Sequence, residues 1–388
     1  MVAALEIRPS DGTRAALRAA GATYAARCYQ CGTCSSVCEL VTRDFTFPRR
    51  QMMLAQWGLG GSLARDPAVW LCHACSDCST RCPRDAKPAD VMQAARAVAV
   101  EGFAVPRLMG RIVSRAGATW PLLLGVPIAS WALLVGLATG FAVAPHEVFA
   151  YERLVPHSLI YAVFFPVAAY VSLVGWISGR RFWSSLAGGE RRRGAFLSAL
   201  VPTLVDIILH RRFATCTTAR SRRQGHLWLV LGFLGAAVTS GLLILAIYLM
   251  RAEMPLGLGH PFKLLGNLSA VFLAVGGWVL LRDRLAKRRH VGTTTAFDSF
   301  FLGVVVLVIA TGIVVEAARF ALDPRVAGWL YIVHLGAVMC LFLTTPYSKF
   351  AHILYRTLAM AHERMVASGR SVASRSETLD GSLAHPTH

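Results

Sequence analysis

The chain has 388 residues, with 40 Lys and Arg against 21 Asp and Glu, and a formal charge of +19. That charge raises nucleic acid as a partner, but 55% of residues are hydrophobic and mean hydropathy is +0.51. The basic residues gather in loops between long apolar runs, which is the pattern of orientation in a membrane and argues against a nucleic-acid face.

Residues 1–116 read as a soluble segment punctuated by Pro48, Gly58, Gly60, Gly61, Pro67, Pro83 and Pro88. The stretch 89–105 has no breaker except Gly102 and predicts a helix. The segment holds eight of the ten cysteines in two runs: Cys28, Cys31, Cys34, Cys38, and Cys72, Cys75, Cys78, Cys82 followed by Pro83. Disulfide frameworks do not crowd four cysteines this closely. Structural zinc uses separated CxxC pairs, so the third and fourth cysteines would be redundant for it.

Both runs read CxxCxxCxxxC, the ferredoxin pattern for 4Fe-4S clusters. The two-residue gaps let three thiolates reach three corners of one cubane, while the fourth points to the other cluster. The expected sets are therefore Cys28, Cys31, Cys34 with Cys82, and Cys72, Cys75, Cys78 with Cys38. Glu39 stands where the second run has proline, and His73 reads as a residue tuning the site.

Six apolar runs follow, near 120–143, 157–178, 226–250, 264–281, 299–318 and 327–346. Each is long enough to cross a hydrocarbon core of about 30 Å. Pro121, Pro127 and Pro166 fall within them, as membrane helices tolerate. The first run begins near Trp120, so no cleaved leader is expected. The loops 179–224 and 282–298 and the tail from Lys349 hold twenty basic residues, against five in the three opposite loops. The positive-inside rule then expects both termini and the cysteine-rich domain in the cytoplasm, beneath the inner membrane.

Within the first basic loop, Leu197, Leu200, Val201, Leu204, Val205, Ile208 and Leu209 form a helical stripe over 196–213. The stripe lies on the membrane surface or packs on the soluble domain, with Pro202 marking the start of its helix. The end from Ser368 is rich in Ser, Gly, Thr and His and is expected to be disordered. The fold expected is all-α: a small helical ferredoxin-like domain with two 4Fe-4S clusters over 1–116, a six-helix transmembrane bundle over 117–360, and a tail over 361–388.

His334 and His352 are 18 residues apart. On one unbroken helix they share a face about 27 Å apart in depth, with Pro346 between them as a candidate kink. One helix could thus supply an axial ligand to each of two stacked haems; an ionisable residue inside a span is a functional candidate. His226, opening the third run, matches His352 as the inner pair, and His210 is a weaker alternative. His157 or His260 could pair with His334 as the outer one; His260 precedes Pro261. A purely structural role for these histidines is the competing reading, which makes the chain a haem-free anchor. Cys216 stands alone, and Cys340 reads as apolar packing.

The segments 28–38 and 72–83 resemble the C-type iron–sulfur subunits of heterodisulfide reductases. The later segments resemble the E-type haem b subunits of the same enzymes: 210–226 with Phe213 and Cys216, 263–285 with Gly266 and Asn267, and 334–360 with Thr345, Pro346, Tyr347, Ser348 and Lys349. Joined in one chain, they resemble the membrane subunits of quinone-interacting membrane-bound oxidoreductase complexes. The His334–His352 spacing is also similar to that in the membrane subunit of respiratory nitrate reductase. That family has a second His ten residues on from another, where this chain has Ala236.

The resemblance implies two clusters, haem b (two copies) and quinone or menaquinone as substrate. It also implies two soluble flavin and iron–sulfur subunits as partners and, beyond them, adenylylsulfate reductase of dissimilatory sulfur metabolism. The chain then belongs to an oxidoreductase complex, with a heterodisulfide reductase-like or sulfite reductase-linked complex as the alternative. The CCG motifs of disulfide-reducing catalysis in the resembled family are absent.

Overall fold

The computed structural model describes residues 9–41, 46–141, 151–186, 193–209, 211, 220–252, 256–287 and 292–382, the side chains of 193–195 and 368–382 excepted. His210, Phe213 and Cys216 lie outside the described residues. Every regular element among the described residues is helical. The chain divides into two compact units. One comprises Met1–Phe103, Ile177–Thr215 and Phe350–His388; the other comprises Ala104–Trp176 and Cys216–Lys349.

In the first unit, Ser10 starts helix α1 (Asp11–Ala19) by accepting the Thr13 amide proton at 3.3 Å. Helix α2 (Arg49–Gln56) follows the first cysteine run, and α3 (Pro88–Phe103) follows the second. The predicted helix over 89–105 is thus present, entered through Pro88. Leu17, Phe47, Met52, Leu63, Val69, Val91 and Met92 form the core, with Cys28, Cys38 and Cys82 packed against it.

A second core joins Trp70, Ala99 and Val100 to Phe182 of helix α5 (His157–Leu186) and to Tyr355, Ala359 and Met360 of a late helix, Ala351–Ser382. The first unit therefore includes helix ends that the sequence division at 116 assigns to the second domain. The cause is aromatic packing: the Trp70 and Tyr355 rings stack at 4.8 Å, and Phe182 meets Tyr355 edge-on at 5.1 Å.

The late helix continues through Ser368, where composition predicts disorder; Val372, Ala373, Arg375, Glu377 and Leu379 do not oppose helix. Helix α6 (Arg193–Ile208) contains Pro202 in its interior, not at its start. Ala199 and Thr203 are buried and Asp206 pairs with Arg364, while Leu197, Val201, Leu204, Val205 and Ile208 remain exposed. One face is packed and the apolar stripe faces outward.

The second unit contains α4 (Ala116–Thr139), most of α5, α7 (Arg220–Tyr248), α8 (Pro261–Leu285), α9 (Ala296–Ala321) and α10 (Pro324–Thr344). Among the described residues, six helical stretches are long and apolar enough to cross a membrane; the sixth begins at Pro324 with α10 and takes in the start of the late helix, α11 (Ala351–Ser382). They fall where the six apolar runs predict. The fourth, shortest in sequence, extends to 25 residues because His260 and Pro261 start it early. Helices α7 and α8 approach through small residues. A Cβ on Gly276 would lie 2.7 Å from the Gly225 carbonyl oxygen, so only glycine fits.

Asp298 is buried at the start of α9. Its carboxylate accepts from the Thr295 amide at 3.1 Å and pairs with Lys349 Nζ at 2.6 Å. Asp298→Ala removes a cap and leaves Lys349 without this partner. We expect a stability loss on the order of 3 kcal/mol, read as a lower midpoint of thermal unfolding in detergent.

The helix carrying His334 does not run unbroken to His352. Helix α10 stops at Thr344, residues Thr345–Tyr347 form a 3-10 turn, and Ser348 is extended before α11 begins. Pro346 lacks the amide proton that a continuous helix would use. Counting helical periodicity from His334 to His352 therefore passes through a break at 345–348.

Candidate cofactor site

The two cysteine loops fold alike. In the first, Gln30 and Gly32 have φ of 60° and 85°; in the second, Ala74 and Ser76 have φ of 50° and 71°. Left-handed backbone at these matched positions turns successive amides inward. For Gln30, Ala74 and Ser76 it is strained, which points to a functional constraint. The amides of Gln30 and Ala74 donate to Cys28 Sγ at 3.4 Å and Cys72 Sγ at 3.3 Å, and the Ala86 amide donates to Cys82 Sγ at 3.4 Å. Such N–H···S bonds hold thiolate charge.

Cys28, Cys31, Cys34 and Cys82 line one recess, partly open to solvent, with Arg49 and Arg84 on its wall. The first run thus meets the last cysteine of the second. The other four gather as well. The Cys38 and Cys78 thiols both interact electrostatically with Cys72 and Cys75. Burial pushes Cys38 up to about 11 and raises Cys78 and Cys34. Exposed Cys31 is lowered, chiefly by the Thr33 hydroxyl.

Buried thiols that resist ionisation need a bound cation charge to become thiolates, which iron supplies. Among the described residues, no three His, Cys, Asp or Glu side chains converge on a point for one ion. A tetrahedral zinc needs thiolates about 2.3 Å from one centre.

Two arginines not singled out by the sequence grip the second loop. Arg96 Nε donates to the Val69 carbonyl at 2.8 Å, and Arg96 also bonds the Cys72 carbonyl. Arg356, one turn after His352 on α11, donates to Trp70 O at 3.3 Å, Cys72 O at 3.2 Å and His73 Nδ1 at 2.9 Å. His73 is thereby held by an arginine at the rim of the loop.

His334 is in the second unit, and its surroundings are specific. Its Nδ1 lies 2.9 Å from Thr311 Oγ1 on α9. The Thr311 hydroxyl proton is already given to the Leu307 carbonyl at 2.7 Å, so its oxygen accepts from Nδ1–H. Nε2 then carries the free lone pair, the tautomer an axial iron ligand requires. The ring rests on Gly312, where a Cβ would lie 3.1 Å from Cε1.

His157 stacks on Tyr161 of its own helix at 6.4 Å, and His260 caps α8 by accepting from the Phe262 amide at 3.3 Å. That cap occupies His260 Nδ1. His226 lies in α7 of the second unit and His352 in α11 of the first. Cys340 is fully buried in α10, as its packing role expects.

The 4Fe-4S dicluster domain family matches residues 24–86. The C subunit of the H(2):CoB-CoM heterodisulfide,ferredoxin reductase of Methanothermobacter thermautotrophicus is 34% identical over 132 residues, 33% of this chain and 68% of that one. The chain belongs to the family of heterodisulfide reductase C subunits. It carries that family's 4Fe-4S electron-transfer domain in its N-terminal third. A protein of Archaeoglobus profundus described as like the heterodisulfide reductase C subunit is 37% identical over 89 residues, 23% of this chain and 47% of that one. Citrate utilization protein B of Escherichia coli is 28% identical over 311 residues, 75% of this chain and 79% of that one. That alignment is too long to be confined to the cysteine-rich domain. No solved structure matches the chain.

Proposed function

We propose that the chain is the membrane electron-transfer component of a quinone-linked oxidoreductase complex. The observation that carries this reading is the recess lined by cysteines of both runs, in a chain with six membrane-length helices. Cys28, Cys31, Cys34 and Cys82 hold one cluster, and Cys72, Cys75, Cys78 and Cys38 hold the other. His334, oriented by Thr311, would hold an outer haem b. His157 would be the second residue to hold it, since His260 Nδ1 is engaged as a helix cap. The bound clusters and haem supply reversible one-electron transfer.

This chain's residues hold these groups, exclude water and set their potentials. The cluster domain lies in the cytoplasm, on the side of the twenty basic residues. The exposed apolar face of α6 rests in the membrane surface there.

Soluble flavin and iron–sulfur subunits exchange electrons with the clusters. The motif resemblance points beyond them to adenylylsulfate reductase. The long alignment with citrate utilization protein B favours a second partner, an oxidoreductase of citrate utilisation, because it spans cluster and membrane regions together. Co-purification of the soluble subunits separates the two.

The test is reduction of the purified chain by a menaquinol analogue. The reading expects b-type haem absorption to appear as reduced bands, followed by cluster reduction. Protein without haem absorption contradicts it.

Arg356 places a positive charge against the loop of Cys72, which favours the reduced, more negative cluster. Arg356→Met is expected to lower the midpoint potential of the cluster held by Cys72, followed by paramagnetic resonance. A tenfold shift in its reduction equilibrium is about 59 mV.

A further inference from the structure

The second unit collects polar side chains at one end of its helices. Lys263 on α8 bonds Glu316 Oε2 on α9 at 2.5 Å. Glu316 Oε1 and Arg319 Nε are buried and have no hydrogen-bond partner among the described residues. Tyr151 donates to the Val315 carbonyl at 2.6 Å, and its ring lies 4.5 Å from that of Tyr331. Burial, then the Glu316 charge, pushes the Tyr151 phenol up to about 12, so it remains a donor.

An ion pair among apolar spans is costly, and an unmet carboxylate oxygen beside an unmet guanidinium N–H adds to that cost. Such a cost persists where the groups serve a ligand. The Lys263 and Glu316 side chains are 23% and 32% exposed, so the pair opens to the surface although Oε1 itself is covered, and a turn of the Glu316 side chain presents that oxygen to a ligand. Ile313, Val314 and Phe320 beside them are exposed and apolar. Glu316 lies one turn beyond Gly312, on which the His334 ring rests.

We propose that Lys263, Glu316 and Arg319 form the headgroup site of the quinol, with Glu316 as the proton acceptor. This rests on the quinone-linked reading above. Residues 316 and 319 are neighbours on a helix face, about 5–6 Å apart at Cβ. That suits a ring with an oxygen at each end: one hydroxyl donates to Glu316 Oε1, and the other oxygen accepts from Arg319. The isoprenoid tail runs along Ile313, Val314 and Phe320.

Oxidation of one quinol gives one quinone, two electrons and two protons. The electrons would leave singly to the one-electron acceptor that His334 would hold on the proposed reading. Each proton leaves a hydroxyl for Oε1, breaking the O–H bond and forming a carboxyl O–H. Glu316 passes the first proton to water before it takes the second.

A photoreactive azidoquinone added to the full chain in detergent tests the site. Label is expected in 260–267 or 313–320, displaced by excess menaquinone. Glu316→Gln should slow menaquinol-driven haem reduction at least tenfold and weaken azidoquinone labelling. Glu316→Asp should restore part of both. Dithionite should reduce the haem equally in all three, showing intact cofactors. Label on other helices, or unchanged labelling and rate in Glu316→Gln, overturns the site. A chain that shows no haem under dithionite refutes the wiring itself, and the labelling pattern still decides where the ring binds.

Discussion

Replacing Cys82 with alanine is expected to remove the cluster of the first cysteine run and spare that of the second. Cys82 belongs to the second run in sequence, yet it lines the recess of Cys28, Cys31 and Cys34. Iron should fall from about eight to about four atoms per chain, and one of two paramagnetic signals should vanish. Cys38→Ala should do the converse, since Cys38 interacts with Cys72 and Cys75. A matching loss from each cysteine's own run would show that the ligands do not cross. The effect is large because all eight cysteines of the two runs are assigned as ligands, so neither run has a spare.

His334→Ala is expected to abolish one b-type haem signal outright. Thr311→Val is the sharper companion, because valine keeps the shape and removes the oxygen that receives Nδ1–H. Losing such an orienting partner typically costs about 10–100-fold in metal affinity. Haem titration into the apo protein should show that weakening with the reduced spectrum otherwise retained. Unchanged haem content in His334→Ala would reassign the ligand.

The cysteine spacing and the six apolar runs were legible because each is written in contiguous residues. The four-cysteine runs name their chemistry, and a run of some twenty apolar residues names a span. The contacts that orient the site were not legible, because they join distant positions. Thr311 meets His334 across 23 residues, Arg96 meets Cys72 across 24, and Arg356 meets Cys72 across 284. The left-handed backbone at Gln30 and Ala74 carries no glycine to announce it. A faint signal existed at Thr311, a lone hydroxyl beside Gly312 in an apolar run.

Periodicity misled at 345–350. Counting 3.6 residues per turn through Pro346 assumes a helix that the 3-10 turn interrupts. Pro202 misled the other way, because α6 passes through it. The first unit reaches beyond residue 116 for a related reason: Trp70 stacks on Tyr355, and no local pattern links residues so far apart.

The most direct measurement is a redox titration of the purified full-length chain, followed by optical absorption and paramagnetic resonance together. Two 4Fe-4S signals and b-type haem bands, each with its own midpoint potential, are the predicted result. Two clusters with no haem at any potential would contradict the membrane half of the account, and absence of the cluster signals would contradict its foundation.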